Sequence, residues 1–189
     1  PEAFNSTTMD CSTQDIAGAN AMLDEAGFVD SDGDGIREVN GTPMKVLYQT
    51  STNAVRQDFQ ALIKEWWSQI GIETELRNID ASVFFGGDAG SPDTFQKFYA
   101  DVEMYTNTFS GTDPQAYLAN MLCDKAPSPS SQWQGENISR FCMEEYDALW
   151  NTLAQTSELD ERASIGRQLN DMAVSNGAMI PLTHRGDIS

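Results

Sequence analysis

An α/β fold follows from three features of this 189-residue chain. Apolar residues recur at helical spacing in several segments and alternate at strand spacing in others. Between residues 42 and 79 a strand-like run, a long helical run and a second strand-like run succeed one another, the order of a βαβ unit. No internal repeat and no linker-like composition interrupts the chain, so residues 1–189 are read as a single α/β domain with a mixed sheet flanked by helices.

Residues 1–11 are polar and irregular. STQDIAGANAMLDEAGF (12–28) reads as a helix: Ser12 and Asp15 form a capping pair, Ile16, Ala19, Leu23 and Ala26 form a stripe, and Gly27 stops it. After an acidic loop, IREV (36–39) and TPMKVLYQT (42–50) read as two strands around a type I′ turn, because Asn40 and Gly41 both tolerate positive φ. TNAVRQDFQALIKEWWSQIG (52–71) is the strongest helical pattern. Val55, Phe59, Leu62, Ile63, Trp66 and Ile70 share one face, which predicts a core-facing stripe with Trp66 in it, and Gly71 sits just past the end. IETELRNI (72–79) alternates Ile72, Thr74 and Leu76 with Glu73, Glu75 and Arg77, a strand with one wet face. Beyond a glycine-rich interruption at 86–92, DVEMYT (101–106) reads as a third strand and PQAYLANML (114–122) as a short helix. EEYDALWNTLAQT (144–156) and ELDERASIGRQLNDMAVSN (158–176) read as two longer helices, and AMIPLTH (178–184) as a closing strand.

Charge narrows the function. With 29 acidic and 11 basic side chains the formal net charge is −18, a field that repels phosphate backbones and anionic membrane surfaces, so no nucleic-acid partner is expected. No run of about 18 apolar residues is present, so nothing spans a bilayer as a helix. Pro1 is an unusual first residue, and the chain is read as a mature fragment.

The acidic loop DSDGDGIREVNG (30–41) has the look of a calcium site. Asp30, Asp32 and Asp34 take alternate positions from which three carboxylates converge on one hard cation, Ile36 offers a carbonyl, and Glu38 reaches it directly or through water. Position 12 of such a loop, however, is Gly41, where an EF-hand needs a bidentate glutamate, and Gly41 is already committed to the hairpin. Two readings stay open: a structural calcium site completed by other oxygens, the only cofactor weighed, and a polar turn whose aspartates satisfy their own backbone.

Chemistry finds little support. His184 is the only histidine, no G-x-S-x-G elbow accompanies it, and zinc or nucleotide motifs are absent, so no enzyme is expected. Tyr105, Phe109, Tyr117 and Trp133 lie in or beside loops at strand ends, the edge where open α/β sheets bind ligands, although loop aromatics also cap cores. Cys123 and Cys142 bracket a Pro/Ser-rich loop. A disulfide there would contribute about 3 kcal/mol, and two buried thiols are the alternative, with Cys11 left over.

Five segments in order resemble the family 5 extracytoplasmic solute-binding proteins of ABC importers: ANAMLDEAGFVDSDGDGIREVNGTPMKVLY, QALIKEWWSQIGIETEL, DPQAYL, NISRFCMEEYDAL and LDERASIGRQLNDMAVSNGAMIPLTHRGDI. They run from about Asp15 to the end. Members of that family are longer and have two lobes, and the resemblance implies the second lobe of a type II, two-lobe periplasmic-binding-protein-like fold, with the first lobe outside this chain. It implies a periplasmic or extracellular protein, membrane-anchored in some intact forms, that closes around a peptide or other small solute and delivers it to a membrane permease. It also implies a disulfide between Cys123 and Cys142 and favours the turn reading of the acidic loop. By family register and loop position, Tyr105, Asn107, Ser110 and Trp133 face the solute, with Asp113 and Asn137 beside them. Dipeptide-binding relatives carry a tryptophan where Asn107 stands, and an aspartate that pairs with the peptide's amino group where Ser110 stands. Serine offers only a neutral hydrogen bond there, which favours a sugar-like or otherwise neutral solute. Asp113 is alternatively a cap for the helix after Pro114. The rival reading is a secreted calcium-binding structural module centred on Asp30–Gly41.

Overall fold

The computed structural model describes residues 4–6, 13–108 and 111–183. Residues Thr13–Asn107 form one compact unit, and the described residues from Thr108 onward, with 4–6, form another.

The first unit opens with α1 (Ile16–Glu25), capped by Asp15, whose Oδ1 accepts the Gly18 N–H at 2.7 Å. Ser12, the other half of the expected capping pair, lies outside the described residues. β1 (Glu38–Val39) and β2 (Thr42–Pro43) pair antiparallel around Asn40 and Gly41, both at positive φ (54° and 77°), as a type I′ turn requires. β3 (Lys45–Ser51), α2 (Ala54–Ser68) and β4 (Glu73–Ile79) then build the expected βαβ unit, with Lys45 opposite Glu73 and Ser51 opposite Ile79 in a parallel pair. α3 (Ala81–Phe84) follows, and β5 (Val102–Glu103) pairs parallel with β3 on its other side, giving the order β4-β3-β5. Parallel and antiparallel pairing thus sit in two separate sheets. The division falls at Met44, whose N–H donates to the Arg37 carbonyl at 2.7 Å while its own carbonyl accepts the Glu73 N–H at 3.0 Å.

Helix α2 corrects one expectation. The buried positions are Gln60 and Ile63, with Trp67 half-buried and tilted against Tyr48 at 5.6 Å, whereas Trp66 is 39% exposed and Leu62 51%. The helix is rotated by about one residue from its apolar stripe because Gln60 bridges two strands. Its Nε2 donates to the Tyr48 carbonyl at 2.8 Å and its Oε1 accepts from Asn78 Nδ2 at 2.7 Å, so two hydrogen bonds offset the cost of placing a polar side chain in the interior. Gly71 ends the segment at φ 78°, and a Cβ there would come within 2.6 Å of the Arg37 side chain, so both conformation and space call for glycine.

The second unit holds α4 (Gln115–Leu118), α5 (Glu144–Gln155) and α6 (Leu159–Ser175). Leu118, Met121, Leu122, Phe141, Tyr146, Leu153, Ile165, Leu169 and Ala173 form its apolar core. Two aromatic polar tips tie the short helix down: Tyr146 Oη donates to the Leu118 carbonyl at 2.8 Å and Trp150 Nε1 to the Gln115 carbonyl at 2.9 Å. The Cys123–Cys142 disulfide is formed. The expected closing strand is not. Residues 178–183 are irregular, Ile180 and Leu182 are exposed, and Pro181 has no N–H to give to a ladder, while His184 lies outside the described residues.

Candidate functional site

In the first unit the candidate site begins where β5 ends. Strands β3, β4 and β5 are parallel, so their carboxyl ends share one edge, the edge at which open sheets of this kind place ligands. The chain leaving β5 is held there: the Met104 N–H donates to the Gln49 carbonyl at 3.0 Å, and Thr50 Oγ1 donates to the Met104 carbonyl at 2.6 Å. Tyr105 follows, half-buried, its ring 5.2 Å from that of Phe95, and Asn107 is exposed. Phe95 in turn touches Phe84 and Phe85, so Tyr105 leaves the sheet on an aromatic footing. Phe109 and Ser110 lie outside the described residues.

In the second unit the remaining candidates divide by what their polar atoms do. Asp113 is committed to the fold. Its Oδ1 accepts the Gln115 N–H at 2.9 Å, holding the start of α4, and its Oδ2 accepts from Arg162 Nε at 2.9 Å and lies 2.7 Å from Nη2. Partial burial pushes this carboxyl upward, but the Gln115 N–H and the Arg162 guanidinium outweigh it and hold it below its ordinary value. Arg162 was not singled out by sequence reasoning, yet it is a hub. Its Nη2 also donates to Gln115 Oε1 at 2.8 Å, and its Nη1 to the carbonyls of Leu153 (2.8 Å) and Thr156 (2.6 Å). It joins the entry to α4, the end of α5 and the first turn of α6. The only trace in the sequence is an arginine inside the acidic start of α6 (LDER), where the helix dipole gives no reason for it.

Asn137 is likewise occupied. It is fully buried, its Nδ2 lies within 2.6–3.2 Å of the carbonyls of Met121, Leu122 and Phe141, and its Oδ1 accepts from Ser139 Oγ. It clamps the loop closed by the disulfide and offers no polar atom outward. Trp133, on the same loop, is half-buried at φ 63°, after Gln132 at 53°, and its N–H donates to the Ser128 carbonyl at 2.8 Å. Two successive left-handed residues are costly for side chains with a Cβ. The turn at Ser128–Ser131, where each hydroxyl meets the other's backbone N–H, and the disulfide supply the constraint that holds them.

The acidic loop converges as its spacing suggests. One carboxylate oxygen from each of Asp30, Asp32, Asp34 and Glu38 lies within 4.8 Å of the others. Each carboxylate also satisfies the loop itself. Asp30 accepts from the N–H groups of Gly33 and Gly35, Asp32 from that of Asp34, and Asp34 from that of Ile36, while Glu38 accepts both the N–H and the hydroxyl of Ser31. These are the bonds of a polar turn, and they leave the donor types suited to a hard cation in place.

Comparison with known proteins identifies the lineage. The model of the bacterial extracellular solute-binding proteins, family 5 (middle), matches residues 1–128. The chain belongs to this family. No curated protein matches it. Among solved structures this family 5 chain is similar to an oligopeptide-binding protein from Thermus thermophilus complexed with a pentapeptide (TM-score 0.74, 20% identity, 93% of this chain and 30% of that one). It is also similar to NikZ from Campylobacter jejuni in complex with Ni(L-His) (TM-score 0.72, 18% identity, 92% and 33%). A third is the periplasmic oligopeptide-binding protein of an oligopeptide ABC transporter from Thermotoga maritima, with mannohexaose bound (TM-score 0.70, 22% identity, 89% and 30%). The family 5 chain therefore spans about a third of the length of each neighbour, and its α/β fold, helices against a parallel sheet, is theirs. The family is one of extracellular solute-binding proteins, and the Thermus and Thermotoga neighbours are described as oligopeptide-binding proteins. Among the described residues no helix is long and apolar enough to cross a membrane.

Proposed function

We propose that this chain is the second lobe of a two-lobe solute-binding protein of an ABC importer. A solute is captured by closure of two lobes, and the closed form is presented to a membrane permease. The observation that carries this reading is the coverage: the fold likeness takes in nearly all of this chain but only about a third of its solved neighbours. The first lobe is the partner that supplies the other wall of the cleft.

Tyr105, Asn107, Ser110 and Trp133 are the side chains proposed to meet the solute, each by loop position and family register. Asp113 and Asn137 drop to supporting roles, because their polar atoms are already taken by Arg162, Gln115 and the carbonyls of their own loop. Serine at 110 and asparagine at 107 leave no anionic partner for a peptide ammonium group at those two places, so a neutral, hydroxyl-rich solute is favoured over a short peptide. That one neighbour of the same fold is described with mannohexaose bound supports the chemistry without identifying the solute here.

The deciding experiment is native mass spectrometry of the intact two-lobe protein as purified, followed by denaturation and identification of anything released. A co-purified neutral saccharide or similar solute is the expected result. A bound short peptide would overturn the reading of Asn107 and Ser110. Equal affinity of the intact protein and of this 189-residue chain for the released compound would overturn the two-lobe account, since one lobe supplies one wall.

A further inference from the structure

Helix α2 packs inward through Arg56, Gln60, Ile63 and Trp67, which leaves a second stripe, one residue earlier at every step, beside the buried one. Val55, Phe59, Leu62 and Trp66 fall within about 60° of one another around the helix and extend over roughly 16 Å of its length. Phe59 is half-buried, but Val55 is 62%, Leu62 51% and Trp66 39% exposed. Scattered apolar residues on a surface need no explanation; four in register on one ridge do. The ridge's outer flank carries the exposed Asp58 and Glu65. On its inner flank Arg56 is turned away, with Nη1 on Ser51 Oγ at 2.6 Å and its guanidinium 5.3 Å over the Phe85 ring. The apolar ridge is thus edged by negative charge, on a chain whose net charge is already −18.

We propose that this ridge is a docking surface for a basic amphipathic helix of another protein. A straight ridge at i, i+4, i+7 and i+11 is the shape that a second helix meets by ridge-into-groove packing, with leucine-like side chains seated between Phe59, Leu62 and Trp66. Lysine or arginine beside that apolar face meets Asp58 and Glu65. The same charge argument excludes the simpler occupants. A second copy would set Asp58 and Glu65 against the same acidic flank, and an anionic bilayer would be repelled.

The test, which rests on the two-lobe reading only for its choice of material, is calorimetric titration of the intact two-lobe protein with a synthetic amphipathic Leu/Lys helical peptide, beside a scrambled peptide of the same composition that has no apolar face. Wild type is expected to bind the amphipathic peptide at least tenfold more tightly than the scrambled one. Leu62→Gln and Trp66→Gln should each lose about tenfold or more. Asp58→Asn with Glu65→Gln should weaken binding and flatten its salt dependence. Leu159→Gln, a control at a residue 65% exposed on α6, should change nothing. Circular dichroism checks that each variant is folded, and Leu62, half out in solvent, keeps the test alive if Trp66→Gln unfolds. Equal binding of the two peptides, or undiminished binding by Leu62→Gln, overturns the proposal. So does a dimer seen by light scattering and broken by Leu62→Gln, or Leu62-dependent binding to phosphatidylcholine vesicles. Protection of Leu62 and Trp66 from hydroxyl radicals within the intact two-lobe protein would assign the ridge to that protein's own interior and overturn it equally.

Discussion

Asn137 and Asp113 show how much of a loop's conformation can rest on one polar side chain. Asn137 has no contact with solvent and serves three carbonyls from two stretches of chain. Removing its amide leaves those acceptors buried without it, so Asn137→Ala should cost about 2 kcal/mol or more in urea unfolding, while Asn137→Asp, which puts a charge in the same place, should cost at least as much. Near-neutral effects would remove Asn137 from the supporting role given to it. Asp113 makes a pH prediction. Its carboxyl is held below the ordinary value in the folded chain, so the unfolded chain binds the proton first as acid is added. The stabilisation is present in full above the ordinary carboxylate value of about 3.9 and is lost as pH falls through the depressed folded value. Melting temperatures between pH 2 and 7 should therefore show a smaller acid-side decline for Asp113→Asn than for wild type, the two curves meeting at the acid end. Parallel curves across the range would mean that the ionised Asp113 carboxylate, with the Gln115 N–H and Arg162 bonds to it, contributes nothing.

Elements in this chain are held by a few cross-ties rather than by propensity. α4 is four residues long, too short to persist alone, and stands because Asp113, Tyr146 and Trp150 bind its backbone and Arg162 its Gln115 side chain. The loop between Cys123 and Cys142 contains little regular structure and is closed by the disulfide across a separation of 19 residues. Replacing both cysteines by serine should lower stability by about 3 kcal/mol in the chain-entropy account. It should also speed backbone exchange around Trp133, read by hydrogen exchange, because the left-handed pair Gln132–Trp133 loses its outer constraint. Unchanged exchange there would place the constraint wholly in Asn137 and the Ser128–Ser131 turn. In α2 the same logic decides orientation: two hydrogen bonds to Gln60 outweigh the burial of Leu62, which sequence periodicity favours.

Taken across its full length, the chain is strongly acidic, and the Asp30–Glu38 cluster concentrates that charge. Whether a divalent ion is needed is a question of stability. Because every carboxylate of the cluster already accepts a hydrogen bond from its own loop, the melting temperature is expected to be the same in EDTA as in millimolar calcium. A drop of many degrees in EDTA would instead establish the cluster as a structural calcium site and strengthen the rival reading of a calcium-stabilised module. Two proposals draw on this charge pattern: a cationic helix for the acidic flank of α2, and a neutral solute for a sequence with no anionic residue at positions 107 and 110.

Much of this was legible in residue order. The βαβ unit, the Asn40-Gly41 turn, Gly71 at the end of α2, and the two long helices near the carboxyl end all announce themselves, because caps, turns and periodicity are local physics. Five segments in family order likewise carry the resemblance to solute-binding proteins. Asp113 was legible as a cap for the helix after Pro114, and it does hold the start of α4, but its tie to Arg162 was not, nor were the face of α2 that turns inward, what else Arg162 holds, and that Asn137 serves the fold. Each depends on a hydrogen-bond partner between 12 and 49 residues away for Gln60, Asp113 and Arg162, or on carbonyls converging from two loops for Asn137. A side chain's polar atoms are committed by what reaches them after packing, and no spacing rule along the chain carries that information.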